Sequence, residues 1–269
     1  MNDKKMIINY SFIFFVALFV RLINLLFIEN TASHALMEDA LIYWEGAQSW
    51  KESGFFSRTV NEAFVPETER VPIYFILLLF IRSFFSEALV AALFFQAILD
   101  SLTCVIIYRL GGMINKQTGL LSGIFSVFSF NLILHSSFIL TETLFLFFMC
   151  CLLLFSADFV KKFSWKSLIG VGIFCGLAIM TRSIVFLLPI SIAILGPIIT
   201  YIQSKNWIRG INASLVVLVI SGVITSPILY RNWTQFNTLH LTSQNGTFFL
   251  DWGIGIIKSL ETGKAFSDI

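Results

Sequence analysis

Charge is scarce in this sequence. Only 13% of its 269 residues are Asp, Glu, Lys or Arg, against roughly 25% in a soluble domain. A folded surface facing water cannot be built from so few. No Lys/Arg run is long enough for a nucleic-acid tract, and the net charge of +2 adds nothing to that case. Cys/His spacings that hold zinc are missing too. The four cysteines, Cys104, Cys150, Cys151 and Cys175, all sit inside apolar runs, where a thiol behaves as a small buried hydrophobe. What is abundant is apolar mass: 57% hydrophobic residues, with 30 Phe. The chain reads as an all-α, polytopic membrane protein, and its Phe richness as lipid-facing surface.

The apolar runs set the number of crossings. Met6–Ile28 follows Lys4 and Lys5 and lacks a small-residue cleavage site, so it reads as a signal anchor with its N-terminus inside. Residues 118–157 form one apolar block of about 40 residues. As helix that is ~60 Å, twice the hydrocarbon thickness, so it must fold back. Residues 167–202 must do the same, with Arg182 as their one charge. Residues 87–109 and 211–229 make one span each. Val71–Phe85 is short for a span. If it crossed, the Arg109/Lys116, Lys161/Lys162/Lys166 and Lys205/Arg209 loops would lie outside. The positive-inside rule favours keeping them inside. The expectation is a single membrane domain over 1–269: seven spans plus one re-entrant or juxtamembrane helix. Residues 29–86 form an outer loop, and 230–269 begin a later one.

This parity puts Asp39, Arg70, His135, Glu142, Arg182 and Arg231 at one face. Within the first loop, Leu36–Glu52 reads as an amphipathic helix with Ser33 as N-cap and Gly54 after its last turn. Met37, Ala40, Leu41 and Trp44 form its apolar stripe, set in lipid or on the bundle. Asp39, Tyr43, Gly46 and Trp50 lie opposite. A solvated interfacial face explains that pattern as well as a site does. Arg21, and Asp100 with Gln96 one turn away, are intramembrane polar groups. Such groups are costly and face a bundle interior, either as structural pairs or as substrate contacts.

The motifs, taken in order, resemble the polyprenyl-phosphate-sugar-dependent GT-C glycosyltransferases, the bacterial relatives of protein O-mannosyltransferases and of the enzymes that put aminoarabinose or galacturonic acid on lipid A. Asp39, Tyr43 and Ala47 match the family's first loop. Arg70, Pro72 and Tyr74 match its Arg/Lys-x-Pro-x-Tyr element. Thr141, Glu142, Leu144 and Phe145 match a Thr-Glu-Pro-Leu-Phe-like element, with Thr143 in place of Pro. Met180, Thr181 and Arg182 match a Leu-Thr-Arg-Pro-like element, with Ser183 in place of Pro. Pro227, Arg231 and Asn232 match Pro-x-x-x-Arg-Asn, and Ser243, Asn245 and Gly246 resemble the following loop. Similar enzymes continue with further spans and often a soluble outer domain. The chain stops at Ile269, about 40 residues after its last run, so the resemblance marks it as C-terminally truncated.

The resemblance implies an inverting transfer of a sugar from a polyprenyl-phosphate carrier to a lipid, polymer or protein acceptor at the outer face. That face belongs to a multi-pass cell membrane, the cytoplasmic one if the source is bacterial. It implies Asp39 as base toward the acceptor hydroxyl and Glu142 as a second carboxylate, orienting the acceptor or holding a metal. It implies Arg70, Arg182 and Arg231 as phosphate ligands, and Tyr43 and Tyr74 as substrate contacts. A divalent metal stays open as cofactor, no residues forming a ligand set for one. The rival readings are a transporter or flippase for a lipid-linked sugar, which would use Arg21 and Asp100 and contain inverted repeats, and a non-catalytic fragment of a glycosyltransferase. Asn232-Trp-Thr and Asn245-Gly-Thr would be glycosylation sequons in a eukaryotic secretory membrane.

Overall fold

The computed structural model describes residues 3–27, 31–37 and 39–243. Helix α1, Asp3–Phe27, is followed by the short α2, Thr31–Ala35, and by α3, Asp39–Ser53. Gly54 ends α3 at φ +76°, a backbone that glycine adopts without cost. A hairpin follows: β1, Ser57–Val60, pairs antiparallel with β2, Ala63–Pro66. Its two-residue turn, Asn61 and Glu62, has both residues at positive φ, the twist that two-residue hairpins require. Helix α4, Ile73–Phe84, precedes α5, Ala88–Gly112, α6, Lys116–Val127, α7, Phe130–His135, and α8, Glu142–Lys162. Then come α9, Trp165–Ile179, a 3-10 turn at Ser183–Val185, α10, Leu188–Ser204, and α11, Trp207–Phe236.

Among the described residues, five helices are long and apolar enough to cross a membrane: α1, α5, α8, the stretch Ser183–Ser204, and α11. Two further legs are shorter. One is α9, of 15 residues. The other is α6 continued by α7 across a break at Phe128–Ser129. Both long apolar blocks do fold back, between His135 and Glu142 and again at Thr181–Ser183.

The connections sort the ends of the legs. At one end Lys161 Nζ donates to the Met113 carbonyl (3.0 Å) and Arg109 pairs with Asp158 (2.8 Å). At the other the Ile139 N–H reaches the Ala35 carbonyl (3.0 Å) and the Ile73 N–H reaches that of Met180 (3.1 Å). Asn115 and Asn206 cap α6 and α11 at the first end through Thr118 and Arg209 N–H groups, the usual role of Asn before a helix. Helix α4 has both ends at the second end of the bundle: beyond Ile73, its Arg82 donates to Gln48 of α3 and lies 4.1 Å over the Trp44 ring. At 12 residues, α4 is shorter than the helices long enough to cross a membrane. Tyr74, Phe75, Leu78 and Ile81 form its buried face, while Ile76, Phe80 and Phe84 are exposed.

Two details of the first loop differ from the sequence reading. Ser33 lies inside α2 rather than at an N-cap, because the helix breaks before Asp39 and restarts there. The buried face of α3 carries Ala40, Gly46, Ala47 and Ser49, whereas Met37 and Leu41 are exposed; the expected stripe is therefore split, with Ala40 buried and Trp44 half-buried under Arg82. Gly46 is where α3 meets α4, since a Cβ there would lie 2.4 Å from the Phe75 ring. Helix α11 also runs seven residues past Leu229, to Phe236. Residues 244–269, including Asn245 and Gly246, lie outside the described residues.

The intramembrane charges are a structural pair. Arg21 and Asp100 are 0% and 1% exposed and meet at 2.6 Å through Nε. The remaining guanidinium nitrogens donate to the Val127 and Ser126 carbonyls (2.5 and 3.2 Å) and to Cys104 Sγ (3.3 Å). Val127 and Ser126 end α6, so Arg21 satisfies carbonyls that a helix terminus leaves open. That is why the chain can break inside the apolar layer, where a bare carbonyl is expensive.

Candidate functional site

Four separate segments converge at the second end of the bundle. Helix α3 starts with Asp39 and presents Tyr43 one turn later. The segment leading into α4 presents Glu69 and Arg70. Helix α8 starts with Glu142, and the α9–α10 turn presents Thr181, Arg182 and Ser183. Asp39, Tyr43, Glu69, Arg70, Thr181 and Arg182 line a cleft of about 220 Å³ with Val71, Ser183 and Ile184. It is an open polar depression, unlike the larger apolar groove between α4 and α5.

Two arginine–carboxylate pairs define its charge. Arg70 Nη2 lies 3.2 Å from Asp39 Oδ1, and its Nη1 lies 3.6 Å from Glu69 Oε2. Arg182 Nη1 lies 2.6 Å from Glu142 Oε1. The Asp39 side chain is 68% exposed and that of Arg70 only 16%. Asp39 thus faces the solvent side of the cleft, while Arg70 is held against protein. Arg58, on β1, takes the other side of Glu69, so Glu69 is shared between two cations. The Arg70 guanidinium also sits 5.4 Å over the Tyr43 ring, and that of Arg182 sits 5.9 Å over Phe145.

Tyr43 is the wall between the pairs. Burial raises its phenol pKa above the usual 10, against the lowering effects of Arg70, of the Thr141 hydroxyl it meets and of Arg182. It is therefore a neutral hydroxyl at working pH. Tyr74 lies behind it, ring against ring at 5.3 Å. Tyr74 is fully buried, and its hydroxyl donates to Gln96 Oε1 at 2.6 Å. Gln96 Nε2 in turn donates to the Ser136 and Phe138 carbonyls. Tyr74 thus supports Tyr43 from beneath and does not line the cleft.

Arg231 is also placed apart. Its Nη2 donates to the Glu67 carbonyl at 2.8 Å and its Nε to Asn232 Oδ1 at 2.9 Å, with Phe56 and Phe236 rings against the guanidinium. It ties the end of α11 to the hairpin loop. Asn232 is 3% exposed and donates to the His240 and Leu241 carbonyls, so its sequon is folded away from any modifying enzyme. The His135 imidazole does not line the cleft; its backbone carbonyl accepts from the Thr143 hydroxyl at 3.1 Å. Among the described residues, no group of three His, Cys, Asp or Glu side chains converges as metal ligands do.

Residues 69–231 match the family of dolichyl-phosphate-mannose-protein mannosyltransferases. The chain belongs to that family. It is accordingly a membrane glycosyltransferase of the GT-C type, a family that draws on polyprenyl-phosphate-linked sugars. Comparisons with curated proteins and with solved structures return no match. The family match contains Arg70, Tyr74, Glu142, Arg182 and Arg231, and begins after Asp39 and Tyr43.

Sequence reasoning gave no site role to two contributors. Glu69 stands beside Arg70 and bridges it to Arg58, and Thr141 meets the Tyr43 hydroxyl. Thr141 stood in a matched motif without a role, and for Glu69 the one signal was its place next to Arg70.

Proposed function

We propose that the cleft transfers a sugar from a polyprenyl-phosphate carrier to an acceptor hydroxyl, with inversion at the anomeric carbon, on the outer face of the membrane. The observation that carries this reading is the convergence of two arginine–carboxylate pairs, Asp39–Arg70 and Glu142–Arg182, at one end of the bundle. The opposite end carries Arg109, Lys161 and Lys162, which by the positive-inside rule supports an outward-facing cleft.

Inversion needs one displacement. The acceptor oxygen bonds to the anomeric carbon on the face opposite the phosphate. The carbon–oxygen bond to the phosphate breaks, and its electron pair leaves with the carrier. The acceptor proton goes to a base. Asp39 is that base, because it is the cleft carboxylate most open to an incoming hydroxyl. Arg70 and Arg182 offset the negative charge growing on the departing phosphate, guanidinium matching phosphate oxygens bidentately. Glu142 holds Arg182 in place before the donor arrives. Tyr43 offers a neutral hydroxyl between the two cations.

The transporter reading loses its main support in the structure. Arg21 and Asp100 are sealed against each other and line no path. The proposed assignment of Arg182 is tested by Arg182→Ala in isolated membranes with a radiolabelled polyprenyl-phosphate sugar. Donor use should fall about 100-fold or more, with the apparent KM for acceptor little changed. Equal loss toward both substrates would make Arg182 a structural residue.

A further inference from the structure

One carboxylate near the cleft lines nothing. Glu67 is 0% exposed and lies two residues before the start of the family match. Burying a carboxylate is expensive unless hydrogen bonds compensate it. Its Oε1 accepts two: from the Glu69 N–H at 2.6 Å and from the Arg70 N–H at 3.2 Å. Both donors belong to the segment whose side chains enter the cleft.

The Glu67 backbone is itself fixed at both its N–H and its carbonyl. Its N–H donates to the Phe56 carbonyl at 3.1 Å, and its own carbonyl accepts from Arg231 Nη2 at 2.8 Å. The next residue, Thr68, accepts at its carbonyl from the Ser243 N–H at 2.7 Å. Downstream, the Ile73 N–H is bonded to the Met180 carbonyl, one residue from Thr181 of the cleft. The short stretch from Glu67 to Ile73 is thus pinned at both ends, and Arg70 is presented from its middle. An irregular segment like this has no ladder to hold it; the Glu67 carboxylate takes that part.

We infer that Glu67 is a positioning residue: its buried carboxylate, carried on a backbone held by the Phe56 carbonyl and by Arg231, grips the Glu69 and Arg70 N–H groups and so sets where the Arg70 guanidinium meets the donor phosphate. This rests on the reading of Arg70 as a phosphate ligand. It also gives Arg231 a role in the reaction through Glu67 and not through contact with substrate.

The nature of the grip makes an unusual ordering of variants. Glu67→Gln keeps an oxygen at the same reach and loses the charge. Glu67→Asp keeps the charge and draws the oxygen back by one carbon–carbon bond. If acceptor position is what matters, Gln is the mild change and Asp the harmful one. The test measures apparent KM for a polyprenyl-phosphate sugar, and kcat, in membranes holding the full chain as wild type, E67Q, E67D, R70A and E67D/R70A. Expected is a donor KM raised about tenfold in E67D, the scale of one lost hydrogen bond to a fixed acceptor. E67Q should stay within about threefold of wild type, and E67D should add nothing in the R70A background. A wild-type donor KM in E67D, with R70A impaired, overturns the inference and leaves the Arg70 reading standing. A wild-type donor KM in R70A overturns both. E67Q worse than E67D, or E67D equally harmful with and without Arg70, shows that Glu67 stabilises the loop by charge alone and also overturns it.

Discussion

Asp100→Asn is the sharpest perturbation of the scaffold. It keeps the shape of the side chain and removes the countercharge that meets Arg21. Both residues are within 1% of complete burial, and their contact is 2.6 Å. Neutral hydrogen bonds between membrane helices average only about 0.6 kcal/mol, too little to detect with confidence. A bare guanidinium inside the bundle is another matter, since breaking a buried pair costs about 3–5 kcal/mol. Arg21 keeps the Val127 and Ser126 carbonyls as partners, which sets the expectation at the low end, about 3 kcal/mol. The double variant Arg21→Met/Asp100→Asn removes the orphaned charge but strips both carbonyls of their donor, each worth about 1–3 kcal/mol. It should therefore be far less destabilised than the two single variants added together. The assay is unfolding of the purified chain in mixed micelles with increasing denaturing detergent. A D100N midpoint equal to wild type would refute the claim that Arg21 is held by charge pairing. So would strict additivity of the two changes.

Three further expectations follow from named contacts. Gly46→Ala places a methyl 2.4 Å from the Phe75 ring, which is fully buried. About 1–3 kcal/mol of overpacking is expected, with α3 displaced and transfer reduced; a stable, fully active variant would show that α3 can slide freely. Tyr43→Phe should lower transfer without changing the shape of the pH profile below about pH 9, because burial already keeps this phenol protonated beyond its ordinary pKa of 10. Loss of an alkaline limb in that range would show that Tyr43 titrates during turnover. Glu142→Gln keeps an oxygen facing Arg182 but removes the charge of its 2.6 Å partner and should raise donor KM about tenfold, the scale of losing a charged hydrogen bond; improved donor binding would mean that Glu142 competes with the phosphate instead of holding Arg182 ready.

Much of the fold could be read from length alone. An apolar block twice as long as the bilayer has to turn, and the polar residues at His135–Glu142 and Thr181–Ser183 mark where. The charged loops favour a Val71–Phe85 that does not cross, and the helix there has only 12 residues. The break in α6 was hidden. Val127-Phe128-Ser129-Phe130 contains neither Gly nor Pro, and what permits the break is Arg21, more than a hundred residues earlier. The hairpin was not read from the sequence, where Asn61-Glu62 is only a weak turn signal in a polar loop. At the cleft, a motif residue and a lining residue are not the same thing. Tyr74 and Arg231 stand in matched motifs, yet one is buried under Tyr43 and the other is spent on a loop carbonyl. Glu67 was one of eight acidic residues in the first loop. Only the fold distinguishes it, because its partners are backbone N–H groups, which a sequence does not mark.

The central claim is that Asp39 is the base of a sugar transfer within this cleft. The most direct measurement compares transfer from a radiolabelled polyprenyl-phosphate sugar in membranes holding wild type, Asp39→Asn, or no chain. Asn keeps the size of the side chain and a contact to Arg70, so insertion and stability should be unchanged. The account expects wild type to transfer label above empty membranes and the Asn variant to fall to their level. An Asn variant that transfers at close to the wild-type rate would contradict it.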